Sequence, residues 1–125
     1  MKARATESGM GDKPYDLGER TALFGERIIT FVKTLPHDRA NDELVRQIVR
    51  AGTSVGANWM EADGALTKKD FRYKVATCKK EAKETIHWLR MIACANPNRV
   101  AEGKELGNEA LELARIFSAI LRKEK

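Results

Sequence analysis

From Leu17 onward, apolar residues recur at intervals of three and four, and four separate runs of this periodicity predict four helices. In the first, Leu17, Phe24 and Phe31 repeat by seven, and so do Thr21, Ile28 and Leu35. Leu35 is its predicted end, because Pro36 disfavours helical geometry in the residue before it. The second run places Ile48, Gly52, Val55, Trp59 and Ala62 on one face, the repeat of a helix packed in a bundle. Val49, Thr53, Gly56 and Met60 form another small or apolar face, so this helix is expected to be the most buried, with neighbours on more than one side. Asn41 or a neighbour is its predicted cap, with Asp42 and Glu43 well placed in the first turn, and Gly64 offers a stop near Ala65.

Thr67 to Asp70 is a capping-box-like start for the third helix, with Leu66 and Phe71 spaced as a hydrophobic staple. Its inward positions are Phe71, Val75, Cys78, Ala82, Thr85, Leu89 and Ile92, and it ends near Ala95 before a turn at Asn96, Pro97 and Asn98. The fourth helix turns Leu106, Ala110, Leu113, Phe117 and Ile120 inward; Gly103 and Gly107 each weaken it by roughly 1 kcal/mol relative to alanine. Short connections favour antiparallel neighbours, so the predicted fold is all-α, an antiparallel up-down-up-down four-helix bundle over residues 15–125. Residues 1–14 mix Gly, Ser, Lys and Pro without periodicity and are expected to be a flexible tail.

Between the two faces of the second helix runs a polar stripe of Gln47, Arg50, Ser54, Asn58 and Glu61. Antiparallel pairing about the turn from Gly64 to Thr67 sets Arg50 opposite Glu81 and Glu61 opposite Arg72. Charges in such a seam must be paired to avoid a large desolvation cost, so Arg50, Asn58, Glu61 and Glu81 are expected to form a structural polar seam that fixes helix register. An acid-base assembly and a partner contact are the other readings of these residues.

The stretches Arg50-Ala-Gly-Thr-Ser-Val-Gly-Ala-Asn-Trp-Met-Glu61, Lys69-Asp-Phe71 and Cys78-Lys-Lys-Glu-Ala-Lys-Glu-Thr-Ile-His-Trp-Leu89 resemble the bacterial four-helix-bundle proteins encoded in 23S rRNA intervening sequences. The likeness runs from about Leu17 to Leu121. That family is similar to the accessory proteins of diversity-generating retroelements. The resemblance therefore implies a pentameric barrel that binds nucleic acid and a reverse transcriptase, and no assigned activity.

The net charge of +5 is concentrated in the third helix, where eight Lys or Arg stand against only Asp70, Glu81 and Glu84 between Thr67 and Asn96. Lys68, Arg72, Lys79, Lys83 and Arg90 are spaced four, seven, four and seven along one flank, a row able to follow a phosphate backbone. An acidic row on the fourth helix, Glu102, Glu105, Glu109 and Glu112, opposes it, and the antiparallel register predicts Arg90 near Glu105 and Lys83 near Glu112. A solvated charged face is the plain alternative. Tyr73, Trp88 and Met91 fall away from the core face of the same helix and suggest a contact with another copy or another protein.

Other chemistry finds little support. Glu84 and His87 have the Glu-x-x-His spacing of a di-iron helix, but the other histidine, His37, lies in a loop, which leaves too few ligands for a metal. Cys78 and Cys94 are sixteen positions apart on one predicted helix, roughly 24 Å, and cannot bridge each other; both read as buried small hydrophobes. No run is apolar enough for a membrane span and the N-terminus lacks a secretion signal, which points to the cytoplasm. No phosphate-cradling glycine loop or base-activated nucleophile is visible. The expectation is a non-catalytic homo-oligomer without metal or cofactor, which binds structured RNA or DNA, or a nucleic-acid enzyme, and neither membrane nor small-molecule substrate. The alternative is a protein-protein interaction scaffold with no nucleic-acid binding.

Overall fold

A computed structural model describes residues 16–124, which form four α-helices: α1 (Leu17–Val32), α2 (Arg39–Asp63), α3 (Lys68–Ala95) and α4 (Val100–Lys123). A single 3₁₀ turn, Pro97–Arg99, joins α3 to α4, so Pro97 opens a helical turn where its missing N–H costs nothing. The expected tail at 1–14 lies outside the described residues. Each of the first three helix starts is fixed by a side chain that accepts an orphan amide: Asp16 from Glu19 at 3.0 Å, Asp38 from Asn41 at 2.8 Å, and Thr67 from Asp70 at 3.0 Å. Asp38 thus caps α2, and Asn41 is left for another task. The staple expected at the start of α3 does not form, because Leu66 is 96% exposed.

α2 packs on α1 and α3, α3 on α2 and α4, and α1 meets α4 along the narrowest of the four seams. Facing residues rise in number on one helix as they fall on the next. Gly25 lies against Thr53 and Gly56 against Thr21; Cys78 reaches the Val55 carbonyl and Lys74 reaches Glu61; Arg72 reaches the Leu121 carbonyl and Leu89 meets Gly107. The core is a single cluster in which Phe24, Ile28, Ile48, Val55, Val75, Ile92, Leu113 and Phe117 are closed off from solvent. Both seven-residue repeats of α1 point into it, including Leu35 beyond the helix end. Trp59 sits at the rim of this core, edge-on to Phe71 with ring centroids 6.3 Å apart.

α2 is not the most buried helix; a larger share of α1 is covered. The second face of α2 receives no extra neighbour, since Thr53, Gly56, Ala57 and Met60 line an open hollow shared with α1. Glycine here permits close approach to one helix rather than to two. A Cβ on Gly52 would stand 3.1 Å from Ile28 Cγ1, and one on Gly56 would stand 3.2 Å from Thr21 Oγ1 and 3.4 Å from the Thr21 backbone.

Two buried amides fix the far end. Asn41 Nδ2 donates to Asn96 Oδ1 at 3.0 Å and Asn96 Nδ2 returns a bond to Asn41 Oδ1 at 2.9 Å, while the same amides reach the carbonyls of Pro36 and Ile92. With Asn41 at 1% and Asn96 at 4% exposure, their hydrogen bonds tie the first turn of α2 to the end of α3. Leaving either partner unsatisfied there costs about 1–3 kcal/mol.

Replacing Gly52 by Leu forces the side chain into Ile28, and a loss of about 1–3 kcal/mol or more is expected in urea unfolding. Gly107 shows the opposite case, because an added Cβ would meet only Leu89 Cδ1 at 3.9 Å; Gly107→Ala should raise stability by about 0.5–1 kcal/mol. The thiols should separate in the same way. Cys78 is fully buried, and desolvation pushes its thiol up to about 12, whereas Cys94 is exposed. A maleimide at pH 8 should label Cys94 in the folded protein and Cys78 only after denaturation. The Cys78 thiol ordinarily titrates near 9.0, so its contribution to stability is complete below that value. It is lost as the pH climbs toward about 12, because ionisation then favours the unfolded chain.

Candidate nucleic-acid interface

The predicted row lies along the outer flank of α3, with Lys68, Lys83 and Arg90 exposed and Arg72 and Lys79 half-buried. Arg72 is turned toward α4, where its guanidinium donates to the Leu121 carbonyl at 2.6 Å. Among the described residues Lys79, Lys83 and Arg90 have no carboxylate partner.

The acidic row of α4 does not neutralise them as expected. Arg20 of α1 takes Glu109 in a two-pronged grip, Nε to Oε2 at 2.8 Å and Nη2 to Oε1 at 3.0 Å, and also reaches Glu112. Glu102 is held by Arg99 at 2.5 Å, which lowers its carboxyl below the usual carboxylate range. Glu105 lines a hollow shared with Glu26 and Arg27 of α1. The reason is helical phase: with a 100° step, the glutamates occupy the side of α4 that faces α1, whereas Lys104 and Gly107 face α3. Nothing local in the sequence marks Arg20, whose partner lies 89 positions away, and only the long-range packing of α1 on α4 selects it. Arg99 holds a glutamate three positions on, a spacing open to many surface pairs and therefore a weak signal. Hydrogen bonds to Glu109 are the main cause of the raised pKa of the Arg20 guanidinium.

Of the residues expected in the polar seam, Arg50, Glu61 and Glu81 make ion pairs between α2 and α3. Arg50 donates to Glu81 at 3.3 Å, as the register predicts, and also grips Glu84. Glu61 pairs with Lys74 at 2.5 Å rather than with Arg72, because two positions on a helix turn the side chain by about 200°, which places Lys74 toward α2 and Arg72 toward α4. Asn58 turns its amide back to the Ser54 carbonyl at 2.9 Å.

The Glu-x-x-His pair is occupied otherwise: Glu84 also accepts the Trp88 indole N–H at 2.9 Å, and exposed His87 stands edge-on to that ring. Among the described residues no group of three His, Cys, Asp or Glu could hold a metal ion. Trp88 packs half-buried against the core cluster and Met91 is half-buried too, so of the three expected outer residues Tyr73, at 67%, is the exposed one. Among the described residues, no helix is long and apolar enough to cross a membrane.

A family model described as 23S rRNA-intervening sequence protein matches residues 15–119. Among solved structures, the chain is similar to a protein of unknown function of the S23 ribosomal protein family from Bacteroides thetaiotaomicron VPI-5482, at 29% identity and a TM-score of 0.73, covering 83% of this chain and 96% of that one. No curated protein matches it. With four helices in place and the match spanning all of α1 to α3 and most of α4, the chain belongs to the 23S rRNA-intervening sequence protein family.

Proposed function

We propose that the protein is a non-catalytic, cytoplasmic accessory protein that binds structured RNA or DNA, or an enzyme acting on it, through the basic flank of α3. The reading takes the four helices as an antiparallel up-down-up-down bundle, which the opposed residue numbering of facing helices supports. The observation that carries it is the row Lys79, Lys83 and Arg90, solvent-accessible and, among the described residues, without carboxylate partners, while Arg20 and Arg99 hold most of the glutamates of α4. Unpaired cations in a row release counterions when they meet a polyanion, and that release is the main source of non-specific nucleic-acid affinity. No role in catalysis is assigned to any residue, nor a metal, cofactor, membrane or small-molecule substrate.

A few cations bind weakly at physiological salt, so the reading includes a homo-oligomer that repeats the row. Its subunit number, five, rests on the likeness to the retroelement accessory proteins. Exposed apolar surface supports contact between copies: Leu66, at 96%, and Tyr73 line one hollow beside the α2–α3 turn, an expensive arrangement to leave in water. The same surface is what favours the second reading, a protein-protein interaction scaffold.

Light scattering at micromolar concentration should report a multiple of the 14.0 kDa chain, and a monomer would remove the oligomer from the account. Affinity for RNA or DNA should fall log-linearly with salt. The combined Lys79→Ala, Lys83→Ala and Arg90→Ala variant should flatten that slope by about one unit for each phosphate no longer neutralised. Absence of binding even at low salt would leave the scaffold reading in its place.

A further inference from the structure

The side of α4 opposite its glutamates carries a second row of cations. Lys104, Arg115 and Arg122 are eleven and seven positions apart, whole numbers of turns to within about 20°, so they share one face. All three are exposed, and among the described residues none has a carboxylate partner. That face borders α3: Lys104 and Arg90 line the same hollow at one end, and at the other Arg72 is bonded to the Leu121 carbonyl, one position from Arg122. Arg72 to Arg90 and Lys104 to Arg122 each span roughly 27 Å. Two cation rows of equal length therefore run side by side on helices whose axes are about 8–10 Å apart.

The acids of both helices point elsewhere. Glu81 and Glu84 are held by Arg50 of α2, and Asp70 lines the hollow at the α2–α3 turn. Glu109 and Glu112 are held by Arg20, Glu102 by Arg99, and Glu105 faces α1. Among the described residues no carboxylate therefore borders the strip, whose hollow at the Arg90 and Lys104 end is floored by Ile86, Ala93, Val100 and Leu111. This charge pattern is complementary to a polyanion over the whole strip.

We infer that the α3–α4 strip binds double-stranded nucleic acid, one phosphate chain along each cation row, with Lys104, Arg115 and Arg122 as binding residues. The inference rests on the nucleic-acid reading above and gives it a substrate class. Paired rows suit the two phosphate chains that border a groove of a duplex. Among the described residues the floor of that hollow holds no aromatic ring on which unstacked bases of a single strand would lie, which is how single strands are usually held. Contacts to phosphates carry no direct sequence information, so binding is indifferent to sequence.

The test is fluorescence anisotropy with a labelled 20-base-pair RNA duplex, the DNA duplex of the same length, and the corresponding single strands, over a salt series. The expected result is tighter binding of duplex than of single strand; the better of the two duplexes identifies whether the backbone is RNA or DNA. Lys104→Ala, Arg115→Ala and Arg122→Ala together should lower the log-log salt slope by about two to three, with thermal unfolding unchanged because all three are exposed. Loss of binding in the Lys79, Lys83 and Arg90 variant with no change in the α4 variant would overturn the two-row strip and leave the proposed function standing. No binding by the unaltered protein would overturn both. Tighter binding of single strand, or equal competition by polyglutamate, would overturn the duplex assignment.

Discussion

The grip of Arg20 on Glu109 decides more than any other contact in the fold. α1 packs broadly on α2 but touches α4 along a narrow line, so the fourth side of the bundle depends on what crosses it. A two-pronged arginine-carboxylate pair is the strongest of the common ionic contacts and fixes direction as well as distance. Both groups are largely covered, which reduces screening of the pair by water and salt. With Glu112 added on the same guanidinium, the rotation of α4 about its own axis is set from α1.

Setting that rotation sorts the charge. α4 is a two-faced helix, glutamates toward α1 and cations toward α3, and the reverse rotation would bring its acids onto the basic flank of α3 and neutralise it. Asn41 and Asn96 hold the α2–α3 seam in register, joining the start of α2 to the end of α3. The close approach of α1 to α2 at Gly52 and Gly56 places Arg20 within reach of Glu109, since a larger residue at either position would push α1 outward. Packing, buried amides and the ion pairs of Arg20, Arg50 and Arg99 thus leave α3 and α4 with a shared surface that, among the described residues, no carboxylate borders.

Helix number, the core-facing side of each helix and nearly every core position were legible in the sequence, because burial on one face of a helix leaves a periodicity that local spacing records. Leu17, Thr21, Phe24, Ile28, Phe31 and Leu35 show it most clearly: both repeats are buried without exception. The pairing of Arg50 with Glu81 was legible for a related reason, since a short turn fixes the register of the two helices it joins. What failed needed rotation rather than register. Arg90 with Glu105, Lys83 with Glu112 and Glu61 with Arg72 are at matching heights but on diverging faces. Asn41 stands where a cap is expected, because polar residues at a helix start usually serve as caps, whereas Asp38 caps and Asn41 turns inward to an amide 55 positions away. The row at Lys104, Arg115 and Arg122 was present in the spacing and overshadowed by the stronger glutamate pattern on the same helix.

The central proposal is that a polyanion rests on the surface shared by α3 and α4. Backbone amide shifts of the isotopically labelled protein, followed by NMR as an unlabelled duplex is added at low salt, test it residue by residue. The account predicts the largest changes from Arg72 to Arg90 and from Lys104 to Arg122, with the outer faces of α1 and α2 unmoved. Changes confined to the hollow between α1 and α2, or spread evenly over all four helices, would contradict it.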